Sequence, residues 1–209
     1  DLHQRYPLVS AVNPAHTAKV WSDTTSLKLP DHFSAIVVAD LKVKARHLVV
    51  TDNGLIYVKL AKAKDGKGIL VLQQAPDGSA KVIGGFGNYG GTGIYMKGGY
   101  LYASSNNEVY RYKLDAANKV IDPDHPETIV TGLVMGRQHE TKSLVLDNDG
   151  NIYVNIGSPL NSCQEEDRKK GSMGIPGCPL LDSAGGIWQF KADKLNQSYG
   201  QGLRYATGL

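Results

Sequence analysis

The chain has 209 residues, a net charge of +3, 41% hydrophobic and 21% charged residues. This is ordinary globular composition, long enough for a sizeable core, and the charge is too small to point to a nucleic-acid or membrane-surface partner. No apolar run approaches the roughly 20 residues that span a bilayer, and no signal peptide is visible at Asp1, which is compatible with a removed leader. There are 24 glycines and 11 tyrosines but only 3 phenylalanines, a balance that suits many short strands joined by tight turns.

Residues 1–32, with Pro7, Pro14 and Pro30, read as an extended lead-in that can cover an edge strand. Phe33 to Val38 reads as a lone strand. From there the pattern repeats. A strand at His47 to Val50 runs into the Asn53-Gly54 turn and the strand Leu55 to Val58. Two further strands follow at Ile69 to Leu72 and Ala80 to Ile83. The second set is Gly93 to Tyr95, the Gly98-Gly99 turn, Tyr100 to Ala103, Val109 to Leu114 and Glu127 to Val130. The third is Ser143 to Leu146, the Asp149-Gly150 turn, Asn151 to Val154, Gly186 to Phe190 and Leu203 to Ala206.

Tyr57, Tyr102 and Tyr153 hold the same place in each set, about 45 and about 51 residues apart. That period fits four-stranded propeller blades. The predicted fold is therefore all-β: a β-propeller of four-stranded antiparallel blades at about residues 40–85, 92–132 and 140–209. Propellers close with four to eight blades. An open stack of three predicts missing blades or a second copy to complete the ring.

No long stretch has helical periodicity; the best helix candidate is short and charged, within Gln164 to Lys170. Cys163 and Cys178 lie in one polar loop. Their spacing is not a zinc pattern. A disulfide here would contribute about 3 kcal/mol and imply an oxidising compartment, hence a periplasmic or secreted protein; two free thiols are the alternative. The acidic run Gln164 to Arg168 reads as a solvated loop. Asp147, Asn148 and Asp149 read as turn formers, because the Gly and Glu positions of an EF-hand loop are unfilled. The glycine-rich stretch Gly84 to Gly91 leads into a strand, so it is not a phosphate loop. Trp188 and Phe190 alternate on one strand and read as core.

The stretch carrying most chemical information is Gly136 to Ser158. His139 stands just ahead of an innermost strand, where propeller loops line one mouth of the central channel. A histidine there suits a general base, its pKa being near neutrality, and Arg137 is close enough to hold an anion. A surface histidine without a role is the alternative reading.

These residues resemble the soluble quinoprotein glucose dehydrogenases and their sorbosone dehydrogenase-like relatives. The resemblance rests on His139, Asp149-Gly150, Ile152 to Val154 and Ile156-Gly-Ser158. The stretches Gly90 to Tyr95 and Tyr205 to Leu209 add to it, and it covers about residues 40 to 209. It implies a six-bladed propeller using pyrroloquinoline quinone (PQQ) and calcium, with the calcium ligands in blades outside this chain. It further implies that His139 takes the hydroxyl proton of a sugar while hydride passes to the quinone. Arg137, Arg46, Gln138 and Thr92 become the cofactor-binding candidates. The sequence departs from the family at Gly91, where relatives carry a Gln that contacts the cofactor. The expected activity is oxidation of a CH–OH or aldehyde group of sugars, with an unidentified electron acceptor. The alternative is a catalytically inactive propeller module that binds carbohydrate or a protein partner.

Overall fold

The structure is a computed structural model that describes residues 30–33, 35–136 and 138–192, together with the backbone of 194–199. The chain divides into two compact units, one formed by residues 1–40 and 74–81, the other by residues 41–73 and 82–209. In the described part of the smaller unit, Phe33 is exposed and Ile36 makes a single β-bridge, so the strand expected at Phe33 to Val38 does not form. Its backbone is tied elsewhere: the Ala80 N–H donates to the Val38 carbonyl at 2.7 Å. The Asp77 carboxylate accepts from the Ser79 N–H at 3.0 Å, closing the turn that precedes Ala80.

The described strands form three four-stranded antiparallel sheets. The first holds β1 (Ala45–Val50), β2 (Leu55–Lys64), β3 (Lys67–Gln74) and β4 (Ala80–Phe86). The second holds β5 (Ile94–Lys97), β6 (Tyr100–Ser104), β7 (Val109–Lys113) and β8 (Glu127–Val130). The third holds β9 (Leu144–Leu146), β10 (Ile152–Ile156), β11 (Gly186–Lys191) and β12 (Lys194–Tyr199). Spatial order follows sequence order in each, the up-and-down pattern of a propeller blade.

Two expectations are corrected. The fourth strand of the third sheet is Lys194–Tyr199, not Leu203 to Ala206, which lies outside the described residues. Lys191 pairs with Lys194, so the chain turns back at once after β11. Gln164 to Lys170 forms bends and turns, not a helix. A disulfide and local side-chain bonds hold it, including Glu166 N–H to Ser172 Oγ at 2.9 Å. Among the described residues the helical element is one 3-10 turn, Pro179–Asp182.

The core lies between sheets, as the two-residue alternation of strands dictates. Leu55, Tyr57 and Ile69 of the first sheet pack with Ile94, Leu101 and Tyr112 of the second. Val109, Ile129 and Val130 of the second pack with Leu144, Ile152, Val154 and Phe190 of the third. Burying a side chain of this size is worth about 1.5–3 kcal/mol, so these two layers supply most of the drive to fold. The repeated tyrosines also lock turns. Tyr57 donates its hydroxyl to the Asn118 carbonyl at 2.7 Å, joining the first sheet to the β7–β8 loop. Tyr153 donates to Asp147 at 3.1 Å and accepts from Gln189 at 2.7 Å.

Candidate active site

The first strands of the three sheets run side by side, β1 against β5 and β5 against β9. Near their leading ends lies a cavity of about 250 Å3 lined by Ala45, Arg46, His47, Thr92, Thr141 and Ser143. Its lining carries one guanidinium, three hydroxyls and no carboxylate. Arg46 is exposed, whereas Thr92 and Ser143 are buried. Burial, reinforced by the neighbouring Arg46, holds the His47 imidazole below its ordinary pKa, so the ring is neutral at pH 7. The Thr141 hydroxyl is sealed from solvent and has no hydrogen-bond partner among the described residues. A buried polar atom of that kind carries a desolvation cost until a partner arrives. The cavity therefore suits an anionic ligand rich in acceptors.

Residues 138–143 lead into this cavity without regular structure. His139 adopts φ 52°, a left-handed conformation that non-glycine residues seldom hold. Strain of this kind costs on the order of 1–3 kcal/mol and persists only where surrounding contacts impose it. The contacts are specific. A Cβ on Gly157 would lie 2.0 Å from the His139 carbonyl oxygen, so only glycine lets β10's exit pass so close. Asn106 donates to the Glu140 carboxylate at 2.9 Å, and Lys142 donates to the Glu140 carbonyl at 2.8 Å. Lys142 is buried, which pushes its ammonium down to about 8, with Glu140 acting in the opposite sense.

Gln138 meets the disulfide loop. Its amide donates to Asp167 Oδ2 at 2.6 Å, and its carbonyl oxygen accepts from Arg168 Nε at 3.0 Å. The loop is closed by the Cys163–Cys178 disulfide, which settles the thiol alternative.

The sequence-derived candidates thus fall into two groups. Arg46 and Thr92 share the cavity. His139 and Gln138 stand on the segment that supplies Thr141 and Ser143 to it, but neither is among its lining residues, and Gln138 is engaged by the loop. Arg137 lies outside the described residues. His47, Thr141 and Ser143 were missed by the sequence reading. The signals available were the adjacency of His47 to Arg46, and the alternation of Thr141 and Ser143 after His139. At Gly91, a Cβ would lie 2.1 Å from the Ser104 carbonyl, so no larger residue fits this backbone path. Asp147 is saturated as a turn former, accepting from the Asp149 and Asn151 N–H groups and the Asn151 amide. Among the described residues no three His, Cys, Asp or Glu side chains converge to hold a metal.

Four-stranded antiparallel blades whose first strands lie side by side define a β-propeller. The chain belongs to the TrAA12-like family, whose pattern matches residues 27–209. A pyrroloquinoline quinone-dependent sugar dehydrogenase of Hypocrea jecorina is 26% identical over 133 residues, covering 63% of this chain and 27% of that protein. The holo pyranose dehydrogenase PQQ domain from Coprinopsis cinerea superposes with a TM-score of 0.58 at 18% identity, over 78% of this chain and 39% of that one. A calcium structure of a Trichoderma reesei Family AA12 carbohydrate-active enzyme gives 0.57 at 21% identity, over 76% and 38%. The chain therefore spans well under half the length of each of these relatives.

Proposed function

We propose that this chain forms part of a PQQ-dependent oxidoreductase acting on the CH–OH or aldehyde group of sugars. The observation that carries the reading is the cavity at the strand heads, with the Arg46 guanidinium and the unpartnered Thr141 hydroxyl. PQQ, when bound, supplies the hydride acceptor; it is a tricarboxylate, and this lining matches that charge. Arg46 pairs with a carboxylate, while Thr92 and Thr141 offer hydroxyl donors. Neutral His47 accepts or donates one hydrogen bond without adding charge. Arg137 is assigned a cofactor contact by resemblance alone, whereas the Gln138 amide is already engaged by Asp167 and Arg168. His139 is assigned the general base, receiving the sugar hydroxyl proton on its ring nitrogen. The family's calcium would be held by groups outside this chain, and no step is assigned to it. The disulfide supports an oxidising, periplasmic or secreted location.

The test is quinone titration followed by dye reduction with a panel of aldoses, on the full-length protein. Arg46→Ala should weaken quinone binding by about tenfold or more. His139→Ala should lower kcat by about 100-fold to 10,000-fold with quinone still bound. Unchanged turnover in His139→Ala removes it as the base. No quinone binding in the wild type overturns the reading in favour of a catalytically silent carbohydrate- or protein-binding propeller.

A further inference from the structure

The assignment of His139 rests on the functional reading above; how that histidine is held follows from geometry. Its backbone is left-handed at φ 52°, in a segment that belongs to neither a helix nor a strand. The residue immediately before it, Gln138, is gripped through both ends of its amide. Asp167 accepts from the N–H at 2.6 Å, and Arg168 donates to the oxygen at 3.0 Å. Both partners lie inside the ring closed by Cys163 and Cys178. That ring is internally braced. Glu165 N–H donates to the Met173 carbonyl at 3.0 Å, and Ile175 N–H donates to the Cys163 carbonyl at 3.0 Å. Asp167 is fixed in turn by the Asn161 N–H at 3.0 Å.

We propose that the disulfide loop is a positioning clamp for the catalytic histidine: Asp167 and Arg168 fix the Gln138 side chain, and through it the left-handed backbone at His139. Gln138, Asp167 and Arg168 are then positioning residues, not quinone ligands. Several features support this over an incidental surface contact. A carboxylate-to-amide bond is charge-assisted and among the stronger side-chain bonds. The amide's donor and acceptor are both used, which fixes its orientation as well as its place. The Gln138 bond also draws the Asp167 carboxyl below its ordinary pKa, with the Asn161 N–H adding to it, so the acceptor stays ionised through neutral pH. On the other side of His139, Gly157 leaves the backbone in close contact with β10's exit. The histidine is held between a covalently stapled loop and a sheet.

The test is amide hydrogen exchange of residues 138–142 in the full-length protein, read beside kcat and KM. In Gln138→Glu, two carboxylates face each other. Exchange at 138–142 should rise about tenfold, the loss expected for one charge-assisted bond, and kcat should fall while sugar KM moves little. Adding Asp167→Asn restores a donor opposite the introduced carboxylate, so both readouts should return toward wild type. Cys163→Ser with Cys178→Ser should raise exchange in the same segment while β6 and β10 remain protected. Unchanged exchange at 138–142 in Gln138→Glu, or no rescue by the second change, overturns the clamp. If exchange responds and is rescued while no variant, wild type included, turns over sugar, the clamp stands and the functional reading falls.

Discussion

Lys59 and Lys142 are both sealed from solvent, at 0% and 1% exposure, one in each of the two seams between sheets. Lys59 donates to the carbonyls of Tyr89 at 2.7 Å and Gly68 at 3.3 Å, and lies 4.0 Å from the Tyr89 ring centroid. Around it the aromatic side chains interlock. Tyr89 and Tyr112 share a hydroxyl bond at 2.9 Å, and Phe86 meets Tyr112 edge-on at 4.9 Å. Burial drives the Lys59 ammonium down to about 7. Lys142 instead braces the irregular segment carrying His139, and a carboxylate in the same segment partly offsets its burial. A perturbed lysine is thus no guide to function by itself. In the first seam it fastens strands that already pack regularly. In the second it helps hold a conformation that the backbone resists.

Gly157→Ala and Gly68→Ala separate the seams most sharply. Each Cβ would meet a carbonyl oxygen, at 2.0 Å and 1.8 Å. Each should cost about 4 kcal/mol in chemical denaturation. Turnover per folded molecule should fall only for Gly157→Ala; equal activity loss in both would erase the distinction. Replacing both cysteines by serine should cost about 3 kcal/mol, with unfolding midpoints as the readout and a cost near zero contradicting it. The pH dependence is next. Unfolded lysine binds its proton up to 10.5, but folded Lys59 releases it near 7 and folded Lys142 near 8. Between those values the unfolded state holds more protons, so stability should rise with pH from about 7 toward 10.5, more for Lys59, whose ammonium is moved further, than for Lys142. Lys59→Met should flatten most of that rise, and a slope identical to wild type would show that the ammonium is not desolvated. The smallest effect is His139→Gly, which relieves the left-handed strain and should leave stability within about 1 kcal/mol of wild type. A large destabilisation there would mean that the imidazole is a packing element.

The sheets were legible because alternation and turn glycines repeat around Tyr57, Tyr102 and Tyr153. Local pattern also located the Asp147 turn and the core role of Phe190. What failed was local in appearance only. The run from Gln164 to Lys170 looks helical in composition, yet a bond spanning 15 residues of sequence and side chains from other segments set its path. The fourth strand of the third sheet was placed too late because polar Lys194–Tyr199 lacks the apolar alternation of an inner strand. His47, Thr141 and Ser143 come together from two sheets, a juxtaposition no window of sequence contains. Arg46 and Thr92 were found through resemblance, not through pattern.

Ser104 crosses the second seam with a single hydroxyl, accepting from the Gly93 N–H at 2.9 Å and donating to the Lys142 carbonyl at 2.6 Å. The two sheets cannot separate there without breaking the bond from the Ser104 hydroxyl to the Lys142 carbonyl. The two blades should consequently melt in one calorimetric transition, with van't Hoff and calorimetric enthalpies agreeing across them.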